Sequence, residues 1–131
     1  MEGSRLKTDS PLTLAFLGDA VFSLFMREYV VKKGNMSTNK LHGMTVKLVS
    51  ANAQEKAIKE IIEEGILSES EADVYRRGEN AKVENHAKNA TDTAYHRATG
   101  FEALIGWLYL KEDHARIEEL LKKAIEINEQ I

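Results

Sequence analysis

The run LAFLGDAVFSLFM, residues Leu14 to Met26, carries a single charge, Asp19, in an otherwise small and apolar stretch. Its length and apolar character predict a helix, and a helix apolar on every side is normally buried. A buried carboxylate without a partner is pushed toward its neutral form by lost hydration, so Asp19 needs compensation. A structural partner in the core and a cation bound at a cleft would each supply it.

Start and stop signals frame this helix. Pro11 is the only proline and follows Asp9 and Ser10, the pattern of a capped helix with proline in its first turn. The helix is expected from near Pro11 to Lys33, where Gly34 and Asn35 supply a stop. A second helix starts at Ser37, weakened slightly by Gly43, and Ser50 or Asn52 caps a third that runs through Ile62 and stops at Gly65. Ser68 followed by Glu71 forms a capping-box pattern that opens a fourth helix ending near Gly78. Residues 80–92, NAKVENHAKNATD, lack large apolar residues and a clear period, as an exposed loop does. Strong helical hydrophobicity resumes in TAYHRATGFEALIGWLYL, and HARIEELLKKAIEINEQI is an amphipathic last helix. No β alternation is visible. The expectation is an all-α fold of six or so helices forming one domain over residues 1–131.

Composition narrows the function classes. At 131 residues and 43% hydrophobic content the chain can bury one core without staples. It contains no cysteine, which excludes disulfides, thiolate zinc sites and thiol nucleophiles and suits a reducing cytoplasm. Residues 1–10, MEGSRLKTDS, lack the apolar core of a signal peptide, and Asp19, Arg27 and Glu28 interrupt the best candidate membrane span. The net charge of −3 argues against a wholly basic surface, but charge is segregated. Arg27, Lys32, Lys33, Lys40 and Lys47 oppose Glu28 alone, residues 55–73 are acidic, and residues 74–100 are basic on balance.

FEALIGWLYL repeats the pattern of the first run, with Glu102 as the single acid of an apolar helix. If Glu102 and Asp19 face one another, neither ionises cheaply without a cation. An all-oxygen, cysteine-free pair suits Mg²⁺ or Mn²⁺ better than zinc, and such a pair fits phosphodiester cleavage.

AFLGDAV resembles the signature helix of the ribonuclease III family, and FEALIGWLYL resembles its second catalytic helix. LHGMTVKLVSANAQ, RRGENAK and ATGFEALIGWLYL together resemble the compact bacterial Mini-ribonuclease III branch, which consists of the catalytic domain alone, with no room for a double-stranded-RNA-binding domain. The likeness runs from about Leu14 to Leu110. It implies a helical homodimer that cleaves double-stranded RNA with Mg²⁺, or Mn²⁺ in its place, leaving 5′-phosphate and 3′-hydroxyl ends. It also implies a cytoplasmic role in maturing the ends of large-subunit ribosomal RNA precursors, and leaves open a large-subunit ribosomal protein that presents the substrate.

Asp19 and Glu102 match the family's catalytic acids and would hold the metal; Phe16 matches an aromatic that inserts into the second subunit. A domain without a separate RNA-binding module must itself touch phosphates and 2′-hydroxyls, and Arg76, Arg77, Asn80, Lys82 and Lys88 are the candidates. His86 and His96 read as surface or packing residues, and His42 has no assignable chemistry. The sequence departs from the wider family where two further acids stand four residues before Asp19 and three before Glu102: here these are Ala15 and Thr99. Glu79 occupies a position that the resemblance implies is usually basic, a departure expected to weaken one RNA contact. The missing acids keep open a second reading, a ribonuclease III fold that binds structured RNA without cutting it. A helical adaptor with no RNA role fits the acid pair and the charge segregation poorly.

Overall fold

A computed structural model describes residues 10–82 and 92–129. They form six helices: α1 Pro11–Val31, α2 Thr38–Val49, α3 Ala51–Glu63, α4 Glu69–Glu79, α5 Asp92–Leu110 and α6 His114–Glu129. There is no strand among the described residues, and no described helix is long and apolar enough to cross a membrane. Lys88 and His86, with the rest of 83–91, lie outside the described residues.

The helices begin where side-chain oxygens can satisfy their free first-turn N–H groups. Ser10 accepts from Leu12 N, Ser37 from Lys40 N and Ser50 from Ala53 N. Ser68 accepts from Glu71 N at 3.1 Å while Glu71 accepts from Ser68 N at 2.8 Å, completing the capping box. Gly34 and Gly65 follow α1 and α3 at φ 135° and 67°, conformations that cost glycine little. The expected first helix is two residues shorter than read, because Lys32 serves as its C-cap.

Helix α5 is the axis of the molecule, packed by α1, α3, α4 and α6. Two glycine crossings fix its closest neighbours. A Cβ on Gly18 of α1 would lie 1.7 Å from the Glu102 carbonyl oxygen, and one on Gly106 2.0 Å from that of Leu14. On the other side, a Cβ on Gly78 of α4 would lie 2.8 Å from Ala103 Cβ, and one on Gly100 2.7 Å from the Tyr75 carbonyl oxygen. Backbones therefore touch on both sides of the Glu102 turn. Phe22 and Phe101 meet edge-to-face at 5.2 Å beneath the first crossing, both buried.

The reading of Leu14–Met26 as buried all round is corrected by the structure. Leu14, Ala15, Gly18, Phe22 and Met26 are buried, but Asp19 is exposed, and so are Phe16, Leu24 and Val31 at 84%, 69% and 59%. Helix α1 has one neighbour-facing side and leaves an apolar stripe, Phe16, Ala20, Leu24 and Val31, uncovered in the single chain. Asp19 sits at the edge of that stripe and needs no core partner.

Candidate active site

The Gly18–Gly106 crossing brings the acid of each apolar helix to the same place. Asp19 follows the glycine that rests on the Glu102 carbonyl, and the Asp19 carboxyl is near enough to the Glu102 carboxyl to act on its ionisation. The two acids differ in surroundings: Asp19 is exposed, whereas Glu102 is partly buried between helices. Burial pushes the Glu102 carboxyl up to about 8, the neighbouring Asp19 adds to the rise, and a hydrogen bond from Gln54 opposes it. Without a cation, Glu102 therefore keeps a proton near neutral pH.

Gln54 of α3 is the third member of this cluster. Its Nε2 donates to Glu102 Oε2 at 3.1 Å and to the Val49 carbonyl at 3.0 Å. Nothing in the sequence gave Gln54 a role, because one glutamine on an amphipathic helix reads as a solvent-facing position; only the packing of α3 on α5 turns it inward.

As a ligand set the cluster is small. Among the described residues no group of three or more His, Asp, Glu or Cys converges, so what the described residues bring together here is a pair of carboxylates. Oxygen-only donors suit a hard divalent ion that keeps most of its water or takes ligands from a bound phosphate. Ala15 and Thr99 are each only 6% exposed, and the Thr99 hydroxyl donates back to the Tyr95 carbonyl at 2.9 Å. Both positions stand one helical turn before Asp19 and Glu102, so at these neighbouring places the chain adds no further carboxylate to the pair.

The cationic candidates are placed by the second glycine crossing. Gly78 rests on Thr99, Gly100 and Ala103, which places α4, with Arg76 and Arg77 in its last turn, against that face of α5, while Glu102 meets Gln54 of α3. Arg76 is exposed and pairs with Asp73 at 3.2 Å; Arg77 is partly exposed, Asn80 caps α4, and Lys82 is exposed. Glu79, the departure from a basic position, is held inside the fold: it accepts from the Tyr75 hydroxyl at 3.1 Å and pairs with Arg97 at 3.7 Å. Arg97 also reaches Glu55 at 3.4 Å, linking α3, α4 and α5. Burial, with the Glu79 carboxylate after it, raises the Tyr75 hydroxyl well above its ordinary value. His42 is exposed and His96 is partly buried.

The ribonuclease III domain profile matches residues 12–113, which span both acids and both glycine crossings. Mini-ribonuclease 3 of Clostridium tetani is 44% identical over 126 residues, covering 95% of this chain and 82% of that one. The Staphylococcus aureus protein of the same name is 40% identical over 126 residues, covering 96% and 94%. The chain belongs to the Mini-ribonuclease 3 family. A crystal structure of a protein from Fusobacterium nucleatum superimposes with a TM-score of 0.81 at 31% identity, over 91% of this chain and 93% of that one. Relatives of nearly the same length share the whole Mini-ribonuclease 3 core, and the match to them extends past Leu110 into α6.

Proposed function

We propose that this chain is an endoribonuclease that cuts double-stranded RNA with a divalent metal, Mg²⁺ or Mn²⁺, held by Asp19 and Glu102. The observation that carries the proposal is the meeting of the two acids at the α1–α5 crossing, within a chain of the Mini-ribonuclease 3 family. The donor chemistry fits the ion: two adjacent carboxyls, one mostly withdrawn from water, are neutralised either by a proton on Glu102 or by a cation. When bound, the ion supplies a hydroxide nucleophile and offsets charge on the scissile phosphate. The chain's own part is to hold Asp19 at the cleft edge and Glu102 behind it.

The RNA would be held by shape. Arg76, Arg77, Asn80, Lys82 and Lys88 are the side chains that would meet phosphates and 2′-hydroxyls, and no chemistry is assigned to His86 and His96. The exposed Phe16 stripe of α1 supports a twofold dimer, in which two acid pairs would lie on one duplex. The products are ends with 5′-phosphate and 3′-hydroxyl. The physiological substrate is a large-subunit ribosomal RNA precursor in the cytoplasm, with a large-subunit ribosomal protein as the candidate partner that presents it.

Incubating a long duplex RNA with the protein, with Mg²⁺ and with chelator, tests the reading. Cleavage confined to the Mg²⁺ lanes and lost in Asp19→Asn and Glu102→Gln is expected. Duplex binding without cleavage under every metal condition would favour the non-catalytic RNA-binding reading, which the absence of acids at Ala15 and Thr99 supports.

A further inference from the structure

Helices α2 and α3 are separated by one residue, Ser50, whose extended backbone (φ −61°, ψ 157°) ends one helix and caps the next. A helix that stops so abruptly leaves its last carbonyls without intrahelical donors. Val49, the last residue of α2, directs its carbonyl to Gln54 Nε2 at 3.0 Å. The same nitrogen reaches Glu102 Oε2 at 3.1 Å. An amide nitrogen has two hydrogens, and here both are committed to acceptors. Turning the amide over would set its oxygen against a carbonyl and a carboxylate, so the Val49 carbonyl fixes which face Gln54 shows to Glu102: a donor.

Gln54 is a poor choice if its task is to fill space. It is only 2% exposed, and its Oε1 is buried with no hydrogen-bond partner. A buried acceptor left unpaired costs stability, so what the amide brings to this place is its two donated hydrogens, to Val49 and to Glu102. We infer that Gln54 is a positioning residue for Glu102: oriented by the Val49 carbonyl, its amide holds Glu102 Oε2 and leaves Oε1 as the oxygen available to a ligand beside Asp19. A glutamate has three side-chain torsions, and holding one oxygen selects a single arrangement in advance of binding. The sequence SANAQ, Ser50 to Gln54, thus encodes the device locally: the break, the cap and the amide one turn into the next helix.

This inference rests on the assignment of Glu102 as one of the two acids of the cleft, and the test separates the two. Gln54→Met is measured for melting temperature, for kcat and KM on duplex RNA, and for binding of Mn²⁺ alone by electron paramagnetic resonance. A positioning role predicts a folded protein with KM within about twofold, kcat lower by ~10- to 100-fold, and weaker Mn²⁺ binding. On a Glu102→Gln background the same change should leave Mn²⁺ binding unaltered, because there is no carboxylate left to position. Equal effects of Gln54→Met on Mn²⁺ binding in both backgrounds, or wild-type kcat and Mn²⁺ affinity, would overturn the role. Full activity of Glu102→Gln would instead overturn the assignment of Glu102 itself. If Gln54→Met does not fold, Gln54→Asn replaces it: the amide is retained but is one methylene too short to span Val49 and Glu102. Positioning predicts the same kcat loss in a folded protein, and failure of both variants to fold would make Gln54 a structural residue and end the proposal.

Discussion

Glu102 carries a cost to the fold at the place where the proposed function needs a carboxylate. Its ordinary value is 4.5, and burial with Asp19 beside it moves it to about 8. A carboxyl raised in the folded state stabilises the fold fully below its unfolded value, and that contribution is lost as pH rises through the folded value. In chelator, the melting temperature of the wild type should therefore decline between about pH 5 and pH 8.5 relative to Glu102→Gln, which has no proton to lose. Melts across that range check this; parallel curves for the two proteins would show that Glu102 is not desolvated. The same substitution should lower duplex cleavage by about 10³-fold, or ~4 kcal/mol in the barrier. Two lone acids in apolar helices were legible from residue order, since an isolated charge in such a run stands out. Gln54 was not, since its inward orientation depends on where α3 crosses α5, and the exposure of Asp19 was misread because an all-apolar helix gives no clue to its uncovered side.

At the scale of elements, the helix ends were readable because caps are local chemistry: Ser10, Ser37, Ser50 and Ser68 start helices, and Gly34 and Gly65 follow their ends. The α5–α6 link was less so, because its left-handed residue is Glu112 at φ 61° and no glycine marks it. The capping box also does more than start α4. Arg116 of α6 grips Glu71 at 2.8 Å and the Ile66 carbonyl at 2.7 Å, tying the start of α4 to α6. Burial pushes Glu71 up, but Arg116 and the Ser68 N–H outweigh it and leave it low, so this tie weakens on acidification. Glycines inside helices separate by what surrounds them. Gly18→Ala would drive a Cβ into backbone at 1.7 Å, which no rotamer relieves, and should destabilise by about 3 kcal/mol or more. Gly43 has nothing within 4 Å, so Gly43→Ala should stabilise by about 0.5–1 kcal/mol through helix propensity alone. Urea titrations of both variants decide it; similar midpoints would mean that α1 and α5 can move apart without cost.

The whole molecule carries a net charge of −3 and an uncovered apolar helix face, and both features bear on how it would meet a polyanion. Phe16, Leu24 and Val31 recur on one side of α1, and burying a large apolar side chain contributes roughly 1.5–3 kcal/mol. A twofold contact uses each residue twice, which makes a stripe of this kind effective in self-association. Phe16→Ala should then weaken the dimer by about 30-fold or more, read as a shift to monomer in sedimentation at micromolar protein, while the monomer stays folded because Phe16 packs on no core residue of its own chain. A wild-type chain that sediments only as monomer would remove the dimer. Holding RNA is a separate matter of local field: if Arg76, Arg77 and Lys82, at and just beyond the end of α4, meet phosphates, local charge and not the net negative charge steers the duplex. Glu79 does not join them, because Arg97 and the Tyr75 hydroxyl engage it, and Glu79→Arg would set a like charge against Arg97. The rim is better tested at Lys82→Glu with Lys88→Glu. Each lost phosphate contact should flatten the plot of log affinity against log salt by about 0.9, a value carried from duplex DNA, with melting temperature and dimerisation unchanged. Lines of equal slope for wild type and double variant would assign these lysines to solvent, and the duplex would have to be held from the α1 face instead.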